Sequence, residues 1–86
     1  MKWQDVRQQF PDQWLLFLAV SAESADHKRI INELAPIEGH TDFQQVWKTY
    51  QRLHEKDNTQ ELYIYHTSNH EINIKEIPAP TIRVHR

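Results

Sequence analysis

The chain has no cysteine and one glycine among its 86 residues. Without thiols it cannot make disulfides, thiolate metal sites or a cysteine nucleophile. With Gly39 alone there is no glycine-rich loop to wrap a phosphate. Long apolar runs are also lacking: the longest, residues 14–20, falls well short of the ~20 residues that span a bilayer as a helix. The amino end, Met-Lys-Trp-Gln-Asp, runs straight into a polar amphipathic pattern with no secretory leader, so the expectation is a cytoplasmic protein with no membrane contact. No sign of charge dominates. Ten Lys and Arg against twelve Asp and Glu give a formal charge of -2, which leaves only local patches to grip a polyanion.

What is present is aromatic. Three Trp, three Tyr and three Phe carry much of the burial capacity of a chain that is 38% apolar. Eighty-six residues form one small domain, and such a domain buries only about 60–65% of the surface its unfolded chain exposes. Association of copies would enlarge that core. Six histidines can add positive charge below about pH 6.5.

Trp3, Val6 and Phe10 recur at helical spacing, and Pro11 and Asp12 end the pattern. A helix this short needs a sheet beneath it. Residues 14–21 are dense in strand formers on both faces, which predicts an interior strand with one face toward helices and the other open to a partner. Residues 22–28 read as a polar turn and residues 29–37 as a second strand, because Pro36 stops the competing helical reading. Thr41 and Gln44 fit a capping box, and Phe43, Val46, Trp47, Tyr50, Leu53 and His54 then line one helical face as far as Asp57. Residues 61–67 and 71–77 read as strands joined by Thr67-Ser68-Asn69-His70, with Pro78 and Pro80 ending regular pairing.

The pattern predicts an α+β domain over residues 1–86, in the order α-β-β-α-β-β. The expectation is a largely antiparallel four-stranded sheet with two helices on one face. Residues 78–86 would form an extended tail or an edge strand. The repeated order also raises an internal duplication, on pattern and not on residue identity.

Candidate sites are sparse. His66 and His70, with Glu71 beside the second, are residue types that bind zinc, but the spacing fixes no third ligand and a turn role is commoner. His54 borders the apolar helix face and reads as a packed amphipathic side chain. Lys48, Arg52 and Lys56 form a basic stripe at four-residue spacing, and Arg83, His85 and Arg86 add a basic end. These could meet phosphates, although solvated helices commonly carry such stripes. Tyr63 and Tyr65 share a strand face that could stack bases, yet aromatic sheet faces more often pack against a helix. Glu33, Glu38, Glu61, Glu71 and Glu76 have no defined partner in the sequence, and Ser21, Ser24 and Ser68 lie outside any nucleophile elbow. Trp3, Trp14, Leu16, Phe43, Trp47, Tyr50, Tyr63 and Tyr65 are the expected core or interface residues.

Three strings resemble a group of small bacterial α+β proteins of unknown function. They are Phe10-Pro11-Asp12-Gln13-Trp14-Leu15-Leu16, the run from Arg29-Ile30-Ile31 to Ile37, and Glu61-Leu62-Tyr63-Ile64-Tyr65-His66-Thr67-Ser68. In that group a helix likewise ends near a Leu-His pair, here Leu53-His54. The resemblance implies a prokaryotic cytosolic source and carries over no activity or catalytic residue.

The expected function is a small non-enzymatic interaction module that self-associates or binds another protein, with no cofactor. Alternatives are a nucleic-acid adaptor using the basic stripe and a histidine metal-binding protein.

Overall fold

A hairpin of two long strands forms the spine of the molecule. In a computed structural model describing residues 1–75, β1 (Trp14–Ala25) and β2 (Lys28–His40) pair antiparallel along nearly their whole length. Only Asp26 and His27 separate them, at φ 52° and 61°. Two consecutive left-handed residues are the signature of the tight hairpin turn whose twist matches its strands. The polar turn expected over residues 22–28 is therefore shorter, and Ala22 to Ala25 continue the strand.

Helix α1 (Trp3–Gln9) precedes the hairpin, and α2 (Phe43–Lys56) follows it. Strands β3 (Leu62–His66) and β4 (Ile74–Lys75) complete a sheet of order β3-β1-β2-β4, antiparallel throughout. The α+β class, the element order and the antiparallel four-stranded sheet match the sequence reading. The residues expected in the carboxyl tail or edge strand, 78–86, lie outside the described residues, as do Glu76, Arg83, His85 and Arg86.

The two helices do not share one face. Leu15 and Phe17 of β1 cluster with Trp3 and Val6 of α1 and with Leu34. Leu16, one step out of phase, clusters with Val46 of α2 and Leu62. Successive side chains on a strand point to opposite sides, so α1 covers one face of the sheet and α2 the other. A strand apolar on both faces permits this arrangement directly, and each short helix acquires its own apolar floor. The open face expected for a partner at β1 is filled by the chain itself at Leu15, Leu16 and Phe17, each fully buried.

Strands β3 and β4 are also not a hairpin. They occupy opposite edges of the sheet, and residues 67–73 cross between them on the α1 side, where Ile72 packs with the α1 cluster. Side chains of α1 hold this strap by its carbonyls. Trp3 Nε1 donates to Asn69 O (2.9 Å), Gln4 Nε2 to His70 O (2.6 Å) and Arg7 Nε to Thr67 O (2.9 Å). The buried Thr67 hydroxyl donates to Phe10 O (2.6 Å) and accepts from Gln13 N–H (2.9 Å), which joins the turn after α1 to the end of β3. Since the second half does not repeat the pairing of the first, the duplicated pattern does not extend to topology.

Gly39 has a packing reason. A Cβ there would come within 2.7 Å of the Phe10 ring and the Gln13 side chain, so only glycine lets Phe10 lie so close to β2. The N-cap of α2 is Asp42, whose carboxylate accepts from Gln44 N–H at 3.0 Å. The helix starts at Phe43, and the cap must stand immediately before it. Thr41, expected to cap, is one residue too early.

Candidate interaction surface

Helix α2 presents three different sides. Val46 and Thr49 are buried, with Leu53 half-buried beside them. Thr49 Oγ1 donates to Glu38 on β2 at 2.8 Å, which locks the helix across the sheet. Phe43, Trp47, Tyr50 and His54 follow each other at spacings of four, three and four. At 3.6 residues per turn they fall within roughly 60° of one another on one flank. Lys48, Arg52 and Lys56 centre roughly 170° away, on the other flank. The single apolar face expected from sequence is thus a buried strip and a separate aromatic strip.

The aromatic strip is continuous. Phe43 stacks on Trp47 (6.2 Å, 16°), Trp47 on Tyr50 (5.3 Å, 18°) and Tyr50 on His54 (5.6 Å, 11°). It extends onto the sheet through Trp14, edge-on to Phe43 (5.1 Å) and to His66 (4.8 Å). None of these six rings is buried, and Phe43 is 37% exposed. Stacked rings cover part of one another's faces, but a row of them partly in water leaves apolar area uncovered along the flank.

This strip overhangs an open sheet edge. Trp14 and His66 are cross-strand partners on β1 and β3, and β3 is the outermost strand on that side among the described residues. The strand Leu62-Tyr63-Ile64-Tyr65-His66 carries no Lys, Pro or bulge. Those are the devices by which exposed edges ordinarily discourage pairing. The outer edge of β2 has several of them. Its pairing with β1 has register shifts at Leu16/Phe17, Ala19/Ser21 and Ser21/Ala22, and Pro36 lies within it. Met1 bridges to Leu34 in both directions, at 2.8 and 2.9 Å, while its ammonium group meets Glu33 at 2.7 Å.

Trp3 and Leu16 are core. Tyr63 and Tyr65 lie on the α1 face, packed with that cluster. Tyr65 meets Trp3 at 5.6 Å, and its hydroxyl accepts from Asn73 N–H at 3.0 Å. These rings are covered by the chain and do not form an open stacking platform. His66 and His70 are held apart. His66 Nδ1 bonds Ser68 Oγ (2.8 Å) and its ring abuts Trp14 on the α2 face, whereas His70 Nδ1 faces Arg7 of α1 (3.3 Å). No group of three His, Asp or Glu side chains that could hold a metal ion occurs among the described residues. Lys48, Arg52 and Lys56 are exposed and make no ion pair among those residues.

One polar network escaped the sequence. Arg29 grips Glu61 with two nitrogens (2.7 and 2.8 Å), Tyr63 donates its hydroxyl to the same carboxylate (2.6 Å), and Arg29 also reaches Ser24 Oγ (3.0 Å). The Arg29 hydrogen bond holds the Glu61 carboxyl below its ordinary range. Burial, reinforced by the carboxylate, pushes the Tyr63 phenol up. These partners come from three strands and are 32 residues apart in the Arg29–Glu61 case; no local spacing signals them. The cluster ties the base of β3 to the hairpin and exposes no free nucleophile or base.

No helix among the described residues is long and apolar enough to cross a membrane. Comparison with protein-family models, curated proteins and solved structures found no match.

Proposed function

We propose that the protein is a small non-enzymatic interaction module that self-associates through the aromatic flank of α2 and the adjoining edge of β3. The observation that carries this reading is the unbroken ring row His66, Trp14, Phe43, Trp47, Tyr50 and His54, partly solvent-accessible throughout and exposed at Phe43 and His54, beside a strand whose outer edge is unpaired among the described residues. Aromatic side chains dominate the binding energy of protein interfaces, and the core of a contact patch is depleted of charge. The strip Phe43, Trp47, Tyr50 and His54 is rich in rings and contains no Lys, Arg, Asp or Glu.

A nucleic-acid role draws less support. Binding of single strands combines bases stacked on aromatics with cations tracking the backbone beside them. Here rings and cations lie on opposite flanks of one helix.

The test is solution mass by light scattering over a range of concentrations. The wild type should form a dimer, and Trp47→Lys should shift it to monomer with unchanged helical content, since Val46 and Thr49 anchor α2 to the sheet. A strict monomer at every concentration refutes the proposal.

A further inference from the structure

Resting on that self-association, the structure specifies its geometry twice over. On β3, Ala19 N–H donates to Glu61 O at 2.9 Å and Thr67 N–H to Gln13 O at 2.8 Å. Antiparallel pairs alternate between bonded and non-bonded. Counting between those fixed points turns the backbone groups of Tyr63 and Tyr65 inward to β1 and those of Leu62, Ile64 and His66 outward. The outward set is symmetric about Ile64. An antiparallel copy of the strand sets Ile64 against Ile64 of the partner subunit and Leu62 against His66 of the partner subunit, and every one of these outward groups meets a complement.

The row on α2 has the same property. Its spacings of four, three and four are symmetric about the point between Lys48 and Thr49. A second helix running the opposite way sets Phe43 against His54 of the partner subunit and Trp47 against Tyr50 of the partner subunit. The two centres coincide. Helix α2 leads into the start of β3 through a short loop and so runs antiparallel to it, while Phe43 at its other end meets Trp14, the cross-strand partner of His66. Phe43 lies about 8 Å along the helix from the centre of the ring row. His66 lies about 7 Å along the strand from Ile64. One two-fold axis therefore serves both elements.

The lateral distance fits as well. Helix α2 contacts β1 and the strands on either side of it. Joining β3 to its copy puts the two β1 strands three strand spacings apart, about 14 Å. Helices in ordinary contact are 8–10 Å apart, and the rings of Trp47 and Tyr50 supply side chains long enough to span the remaining gap.

We infer that two copies of this chain join β3 to β3, antiparallel and in register about Ile64, into one continuous sheet of eight strands with the two aromatic rows facing across the axis. Amide hydrogen exchange at concentrations where light scattering shows dimer tests this. The amides of Leu62, Ile64 and His66 should exchange at least about tenfold more slowly than at dilutions giving monomer, while Tyr63 and Tyr65 are protected in both. A dimer in which those three amides exchange as in the monomer overturns the strand pairing and leaves the proposed self-association standing; absence of dimer removes both. The cysteine-free chain allows the register to be checked separately. A short bismaleimide should couple Ile64→Cys to its copy and fail to couple His66→Cys, and the reverse result overturns the register.

Discussion

At the residue scale, the most informative group is the cluster of Arg29, Glu61 and Tyr63, because it converts pH into stability with two opposite signs. Glu61 is held below its ordinary value of 4.5, mainly by the Arg29 hydrogen bond. Its contribution is complete above the unfolded value and disappears as pH falls through the folded one. Tyr63 is raised above its ordinary value of 10.0, mainly by burial and next by its bond to Glu61. Its contribution is complete below the unfolded value and disappears as pH rises through the folded one. Stability from this cluster should form a plateau between about pH 5 and 9, falling on both sides. Urea midpoints measured well beyond both ends of that plateau should show both limbs in the wild type. Tyr63→Phe should lose the alkaline limb and Arg29→Met should weaken the acid one; identical profiles in all three would show that the cluster does not set them. None of these partners was legible in the sequence, where Glu61 stood as a carboxylate without a mate. Their chemistry depends on β2 and β3 reaching across β1, which no local pattern encodes.

At the element scale, the strands and helices were readable because each has an apolar period to bury. Trp3 and Val6 announced α1, the two-sided run after Trp14 announced an interior strand, and the ring spacing announced α2. What could not be read was sidedness. A strand apolar on both faces is equally consistent with two helices on one side and a partner on the other, or with one helix on each side; only the phase of Leu15, Leu16 and Phe17 against the helices decides. The hairpin turn is shorter than its polar composition suggests for a related reason. Asp26 and His27 lack the glycine that ordinarily marks two left-handed positions, so nothing in the sequence singles out these two residues within the polar stretch. A non-glycine side chain in that conformation costs up to about 1–2 kcal/mol, less for Asp than for His. His27→Gly should therefore stabilise the protein by roughly 0.5–1 kcal/mol after the extra chain entropy of glycine is subtracted. A higher urea midpoint at unchanged slope would show it, and a lower one would mean that His27 makes a contact worth more than its strain.

At the scale of the whole molecule, the surface divides by chemistry. Rings occupy the β3 side of α2, cations the β2 side, and the far face belongs to α1 and the strap it holds. The residues of the candidate surface were visible in the sequence as aromatics, but their separation from the buried strip was not, since Phe43, Val46, Trp47, Tyr50 and Leu53 read as one face until the helix is laid on its sheet. This division makes salt a discriminating variable. A contact built from aromatic area and backbone hydrogen bonds contains no exposed ion pair to screen, so its dissociation constant should change by no more than about threefold between 50 and 200 mM salt. Polyanion binding by Lys48, Arg52 and Lys56 would behave otherwise. Three counterions released from a single strand give a slope near -2.1, and the same fourfold rise in salt would weaken it by roughly 20-fold. Sedimentation of the protein alone, and of the protein with a single-stranded oligonucleotide, should yield a salt-tolerant dimer and no salt-sensitive complex. A steep salt dependence of the dimer itself would move the contact from the aromatic flank to the basic one, and with it the function assigned to α2.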